Sequence, residues 1–126
     1  PLRVAAVGGG AAGFEALLAV LARLRATSSR AVLATLIGRS AELLPGVSAP
    51  ARQAAWRALR RAEVAVRLGA DWGAELDAAS DVVLWATGGE AHAWQRDPAR
   101  RGTLVVDGGF VRIDTHLRSA SHPQVF

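Results

Sequence analysis

The sequence predicts an α/β domain of three layers, with a parallel sheet of about four strands between helices and crossovers and a short C-terminal hairpin. Three observations predict it. Short, nearly continuous apolar runs at Arg3 to Val7, Ala31 to Ile37, Val64 to Leu68 and Asp81 to Ala86 have the length of buried parallel strands. A helical pattern lies between the first two, so that strand, helix and strand fit in about 35 residues, the size of one right-handed βαβ unit. The first strand also meets three glycines spaced G-x-G-x-x-G, Gly8, Gly10 and Gly13, immediately before the first helix, which makes the fold Rossmann-like.

Taken in order, the first helix is expected from Ala11 to about Ala26. Phe14, Leu17, Leu18, Leu21 and Leu24 fall at i, i+3, i+4, i+7 and i+10 and make one apolar stripe to lie on a sheet. Thr27-Ser28-Ser29 ends it, and Ala31 to Ile37 reads as a strand covered on both faces. After the loop Leu43 to Val47, Ser48 is a suitable N-cap and Pro50 sits in the first turn of a second helix reaching about Ala62. Its apolar positions are mainly Ala51, Ala55, Ala58, Leu59 and Ala62, with Trp56 at an edge. Val64 to Leu68 is the third strand, stopped at Gly69. Ala70 to Ser80, short and mixed, reads as a solvated crossover, although Asp71, Glu75 and Asp77 lie in it. The fourth strand, Asp81 to Ala86, is expected to be buried and to end on Thr87-Gly88-Gly89. His92, Trp94 and Gln95 follow in a loop, where they either border a cofactor or are surface and packing residues. Thr103 to Val106 and Phe110 to Ile113, joined by Asp107-Gly108-Gly109, form the hairpin.

The glycine loop is a place to hold a pyrophosphate. Gly8 allows the tight strand-to-helix turn, Gly10 has no Cβ to keep a phosphate from the backbone, and Gly13 lets the helix pack closely on the strand. The unpaired amides of the first helical turn, Ala11, Ala12 and Gly13, then face the anion with the helix dipole behind them. A carboxylate ending the second strand would favour NAD by accepting hydrogen bonds from the adenosine ribose. Here the position reads Ile37-Gly38-Arg39-Ser40, so the acid is missing. Arg39 has two readings, a fork of donors for a 2′-phosphate or a surface residue after a turn glycine. Ala86-Thr87-Gly88, at the end of the fourth strand, approaches the same ligand from the opposite side.

Composition narrows the function. The chain of 126 residues is half hydrophobic, has 21% charged residues and suits one folded domain. It has no cysteine, which excludes a disulfide, a thiolate metal site and a redox-active Cys pair within the chain. His92, His116 and His122 lack metal-ligand spacing, and no metal site is expected. All fifteen basic residues are Arg and the net charge is +4. The densest group, Arg52, Arg57, Arg60 and Arg61, recurs on the exposed side of the second helix without interleaved aromatic residues, so a solvated face is expected and nucleic acid is not. No signal peptide is visible, and the longest apolar stretch, Phe14 to Leu24, is interrupted by Glu15 and Arg23 and is too short to span a membrane. The reading is a cytoplasmic, bacterial protein from a GC-rich genome. The absence of Met and the abrupt ends suggest a piece of a longer chain.

These residues resemble the nicotinamide-nucleotide-binding domain of the FAD-dependent pyridine nucleotide-disulfide oxidoreductases. The likeness rests on Val7-Gly8-Gly9-Gly10-Ala11-Ala12-Gly13-Phe14-Glu15, Gly38-Arg39-Ser40-Ala41-Glu42-Leu43-Leu44-Pro45, Asp81-Val82-Val83-Leu84-Trp85-Ala86-Thr87-Gly88, and Thr115 to Phe126. Within the family it is most similar to type II NADH dehydrogenases and to flavoproteins associated with selenide, water dikinase. The resemblance implies a parent that binds FAD in flanking sequence and takes hydride from NAD(P)H. It implies a cofactor-binding set of Gly8, Gly9, Gly10, Ala11, Ala12, Gly13, Glu15, Gly38, Arg39, Ala86, Thr87 and Gly88, with no catalytic residue in this chain. Glu15 matches the family glutamate near the nicotinamide; read by itself, it is a first-turn helix acid. Residues 114 to 126 resemble the return toward the flavin domain. The implied partners are the dinucleotide and that flavin domain, with a homo-oligomer and peripheral membrane association of the parent both open. The sequence departs from the family in the missing acid and in a crossover before Val82 too short for the usual antiparallel strands.

Two competing readings remain at the level of sequence. The glycine loop as an FAD site is disfavoured by the same missing acid. A non-catalytic, nucleotide-responsive or interaction module with a vestigial pocket is the alternative to cofactor binding.

Overall fold

The computed structural model describes residues 1–126 and divides into two compact units, Pro1–Gly88 and Gly89–Phe126. The first unit contains β1 (Leu2–Val7), α1 (Ala11–Thr27), β2 (Val32–Gly38), α2 (Ala49–Arg61), β3 (Val64–Leu68), α3 (Ala74–Ala78) and β4 (Val82–Trp85). All four strands are parallel, in the order β3-β2-β1-β4. The Rossmann-like α/β sheet expected from the apolar runs is present. Its register sets Val7 beside Ile37 on one side and Trp85 on the other, with Gly38 beside Leu68, so the carboxyl ends of all four strands finish nearly level.

Side-chain alternation explains how the sheet is covered. Val4 and Ala6 of β1, Val32, Ala34 and Leu36 of β2 and Val64 of β3 form one buried cluster with Leu17 and Leu21 of α1 and Ala55 and Leu59 of α2. Both long helices therefore lie on the same face. Leu17, Leu21, Leu36 and Leu59 are fully buried, and each contributes roughly 1.5–3 kcal/mol of apolar transfer. Phe14, Leu18 and Leu24 of the predicted α1 stripe pack partly buried against this core, and Val20 joins them. Pro50 stands in the first turn of α2 as expected, but the Ser48 side chain makes no capping hydrogen bond.

The opposite face is thinly covered. The return from β3 at one edge to β4 at the other runs over it, and Trp72 of this connection meets Trp85 edge to face with ring centroids 6.4 Å apart. The solvated crossover expected over Ala70 to Ser80 contains a single helical turn, α3, in which Glu75 and Asp77 are exposed. Two strands expected to be buried on both sides are not. Leu33 of β2 is 53% exposed, and Val83 and Trp85 of β4 are 36% and 63% exposed. A short connection of eleven residues cannot roof four strands, so Leu33 near the start of β2 and Val83 and Trp85 of β4 face solvent, while Ile37 at the far end of β2 stays buried.

The second unit contains α4 (Ala93–Arg96), α5 (Pro98–Arg101), β5 (Val106–Asp107) and β6 (Phe110–Val111). Trp94 and Gln95 lie in the short helix α4 rather than in a loop, and His92 stands just before it. His92 is the N-cap of α4, and its backbone N–H donates to Gln95 Oε1 at 2.9 Å, a local bond that favours a helical turn. Asp97 caps α5 by accepting from Ala99 N at 3.0 Å. The predicted hairpin forms with its turn at Gly108 and Gly109, both at positive φ, but its ladder is shorter than the apolar runs. The tail is held by a bridge between Ile113 and Ser119 and by Asp114, whose carboxylate accepts from the amides of His116 at 2.8 Å and Arg118 at 3.0 Å.

Candidate functional site

The chain runs from β1 to β2 to β3 in one direction and then returns to the far side of β1, which makes the carboxyl ends of β1 and β4 a topological switch point. A cleft of about 810 Å³ opens there, within the range of small-molecule sites. Val7, Gly8, Gly10, Ala11 and Ala12 line it from β1 and the start of α1, and Ile37, Arg39, Ser40 and Pro45 from the end of β2 and its loop. Ala70, Asp71 and Trp72 line it from the end of β3, and Trp85, Ala86, Thr87 and Gly88 from the end of β4.

The three glycines of the loop serve different physical ends. Gly8 has φ +128°, and a Cβ on it would fall on the Ala86 carbonyl. A Cβ on Gly13 would fall on the Gly8 carbonyl, so the absence of a side chain lets α1 press onto the end of β1. Gly10 differs. It is the N-cap of α1 in ordinary extended geometry, φ −83° and ψ −178°, and a Cβ there would meet no atom within 4 Å. Nothing in the protein requires Gly at position 10, and the space it leaves open belongs to the cleft. The first intrahelical bond runs from Phe14 N to Gly10 O at 3.1 Å, which leaves the amides of Ala11, Ala12 and Gly13 without intrahelical partners. These are the donors that suit an anion.

Of the predicted site residues, Gly8, Gly10, Ala11, Ala12, Arg39, Ala86, Thr87 and Gly88 come together around the cleft. Gly9 and Gly38 are buried against each other, since a Cβ on Gly38 would lie 3.1 Å from Gly9 Cα. They, like Gly13, shape the site from beneath without lining it. Glu15 lies elsewhere, on a smaller groove of about 450 Å³ between α1 and α2 with Phe14, Leu44, Val47 and four alanines of α2. It stands beyond the first turn of α1, which contains no acid, so its expected role as a first-turn acid does not hold.

Electrostatics at the cleft come from two charged side chains. Arg39 is exposed and enters no ion pair; Glu42, three residues on, is engaged by Arg52 at 3.1 Å. Arg52 is accordingly half-buried and tied back to the loop, donating to Val47 O at 3.2 Å, and does not belong to the solvated arginine face expected of α2. Asp71 was legible only as one of three scattered acids. Its place in the cleft, with Ser40, Pro45, Trp72 and Trp85, follows from tertiary bonds between loops. A signal was available, since Gly69 ends β3 as Gly38 ends β2, and residues following strand ends are where ligands gather in such sheets. No cluster of three or more His, Asp or Glu side chains is arranged to hold a metal, and no helix is long and apolar enough to cross a membrane.

No protein-family model matches the chain, and no curated protein matches it in sequence. Solved structures do. The fold recurs in flavoprotein disulfide reductases. RclA, an HOCl-induced flavoprotein disulfide reductase from Escherichia coli, aligns with a TM-score of 0.66 at 18% identity, over 98% of this chain and 30% of its own. Its Cu(II) complex gives a TM-score of 0.65 at 16% identity, over 96% of this chain and 29% of that one. LpdA from Mycobacterium tuberculosis gives 0.66 at 17% identity, over 98% and 28%. The chain spans less than a third of these proteins, and at such identity the likeness is one of fold.

Proposed function

We propose that this chain is the NAD(P)H-binding domain of a longer FAD-dependent pyridine nucleotide-disulfide oxidoreductase, and that it holds the reduced nicotinamide for hydride transfer to the flavin of its parent. The observation that carries this reading is the open side of Gly10. A fold that needs Gly8 and Gly13 for its own packing has a third glycine with no packing duty, facing the cleft beside the free amides of Ala11 and Ala12. A pyrophosphate gives that arrangement a reason.

On this reading the backbone amides at the start of α1 hold the diphosphate, Arg39 faces the adenosine end, and Ala86, Thr87 and Gly88 form the wall along which the nicotinamide half extends. The nicotinamide supplies the hydride chemistry when bound; the chain's own work is to orient and to exclude water. Residues 114–126 are proposed as the return toward the flavin domain. RclA, a flavoprotein disulfide reductase part of whose structure aligns with this chain, supports the parent assignment.

The test is a titration of the chain with NADH and NADPH, followed by tryptophan fluorescence. Trp72 and Trp85 line the cleft, so binding there quenches or shifts their emission, and Gly10→Ala weakens the effect about ten-fold, about 1.4 kcal/mol. Unchanged emission and no heat of binding at millimolar cofactor would refute the proposal.

A further inference from the structure

The end of β2 lacks the carboxylate that reads a ribose in dinucleotide sites of this fold, since Gly38 is followed by Arg39 and Ser40. The neighbouring loop brings one. Gly69 N donates to Ser40 O at 2.9 Å and Ala70 N donates to Gly38 O at 3.1 Å, which lays the segment after β3 against the segment after β2. The next residue is Asp71. It lines the cleft with Arg39 and Ser40, its side chain is exposed, and it enters no hydrogen bond or ion pair within the chain. Arg39 likewise has no carboxylate partner.

Resting on the dinucleotide reading above, we propose that Asp71 and Arg39 together set the choice between NADH and NADPH. Asp71 accepts hydrogen bonds from the ribose hydroxyls of NADH, taking the place of the absent acid of β2, and Arg39 pairs with the 2′-phosphate of NADPH. A carboxylate needs donors and repels a phosphate, whereas a guanidinium attracts the phosphate and gains little from a diol. Two unpaired charges of opposite sign on adjoining loops therefore pull cofactor preference in opposite directions. Each shifts it alone when removed.

The experiment is a calorimetric titration of the 126-residue chain with NADH and NADPH, set beside Asp71→Asn and Arg39→Ala. Both side chains are exposed, and circular dichroism checks that both variants keep the fold of the unaltered chain. Asp71→Asn is expected to weaken NADH about ten-fold while leaving NADPH as tight or tighter, as loss of a charge-assisted hydrogen bond requires. Arg39→Ala is expected to weaken NADPH about ten-fold with NADH changed by less than about two-fold. An unchanged NADH-to-NADPH ratio in Asp71→Asn, whether both affinities hold or both fall together, overturns the assignment and leaves the dinucleotide reading standing. Failure of the unaltered chain to bind either cofactor overturns both.

Discussion

Replacing Gly13 and Gly10 separately by alanine divides packing from ligand binding in the glycine loop. In Gly13→Ala the new Cβ falls on the Gly8 carbonyl, and because both partners are backbone the strain is relieved only by moving the first turn of α1 away from β1. Overpacking of this kind costs about 1–3 kcal/mol, offset by up to ~1 kcal/mol from the better helix propensity of Ala. With an unfolding entropy of roughly 2.1 cal/mol/K per residue, each 1 kcal/mol lowers Tm by about 4 °C for a chain of this length. The net cost is then about 0–3 kcal/mol, a fall in Tm of up to about 12 °C. Gly10→Ala places its methyl in open space at φ and ψ that Ala adopts freely. The small loss of N-cap preference and the small gain from a less flexible unfolded chain nearly cancel, so Tm should move by less than about 2 °C. The assay is thermal unfolding followed by circular dichroism, with and without NADH. Gly13→Ala should melt early, and Gly10→Ala should melt normally yet lose most of the stabilisation that NADH gives the unaltered chain. If Gly10→Ala melts as early as Gly13→Ala, the distinction between a packing glycine and a ligand-facing glycine is wrong.

Further expectations concern the core, the sheet face and the tail. Leu59→Ala removes a side chain with no exposed area and should cost about 2–5 kcal/mol in denaturant unfolding, whereas Leu33→Ala, at 53% exposed, should cost less than half as much; equal losses would mean that the second face of the sheet is covered in solution. Glu42→Gln breaks a partly exposed ion pair with Arg52 and should cost no more than about 1 kcal/mol; a loss of several would show that the pair is a buried one. The Asp114 carboxyl is held below its ordinary value, chiefly by the Arg118 amide and also by the His116 amide and the Arg118 guanidinium. Its folded value lies below its unfolded one, so the ordering it gives the tail is present above the ordinary carboxylate range and is lost as pH falls through the lowered value. The amide shifts of His116 and Arg118 should report that midpoint by NMR; a midpoint above the ordinary range would contradict it.

Much of the first unit was legible because its causes are local. Apolar runs, the Gly-x-Gly-x-x-Gly spacing and the stops at Gly38 and Gly69 gave four parallel strands in workable bounds. What the runs could not give was the sidedness of β2 and β4. A continuous apolar run reads the same whether one or both faces are covered, and the exposure of Leu33, Val83 and Trp85 depends on how little chain crosses above them. The single turn α3 was too short to show a period. Most of the cleft wall formed by β1 and the start of α1 was foreseeable from Gly8 to Ala12, but Asp71 and Trp72 were not, because two backbone hydrogen bonds between the segments after β2 and β3 bring them in. Residue type also concealed role: Gly9, Gly13 and Gly38 are glycines for packing, and Gly10 is a glycine for another reason.

The close approach of α1 to β1 has a consequence for how such a domain can diversify. Gly8, Gly13 and Ala86 meet through backbone atoms, so a change at any of them displaces a helix or a strand end. Selection has little room there. Arg39 and Asp71 project from adjoining loop ends, pack against little and can be exchanged singly with small loss of stability. The backbone-packed half of the cleft thus tolerates little substitution, while the two loop positions, Arg39 and Asp71, can change with little effect on the fold.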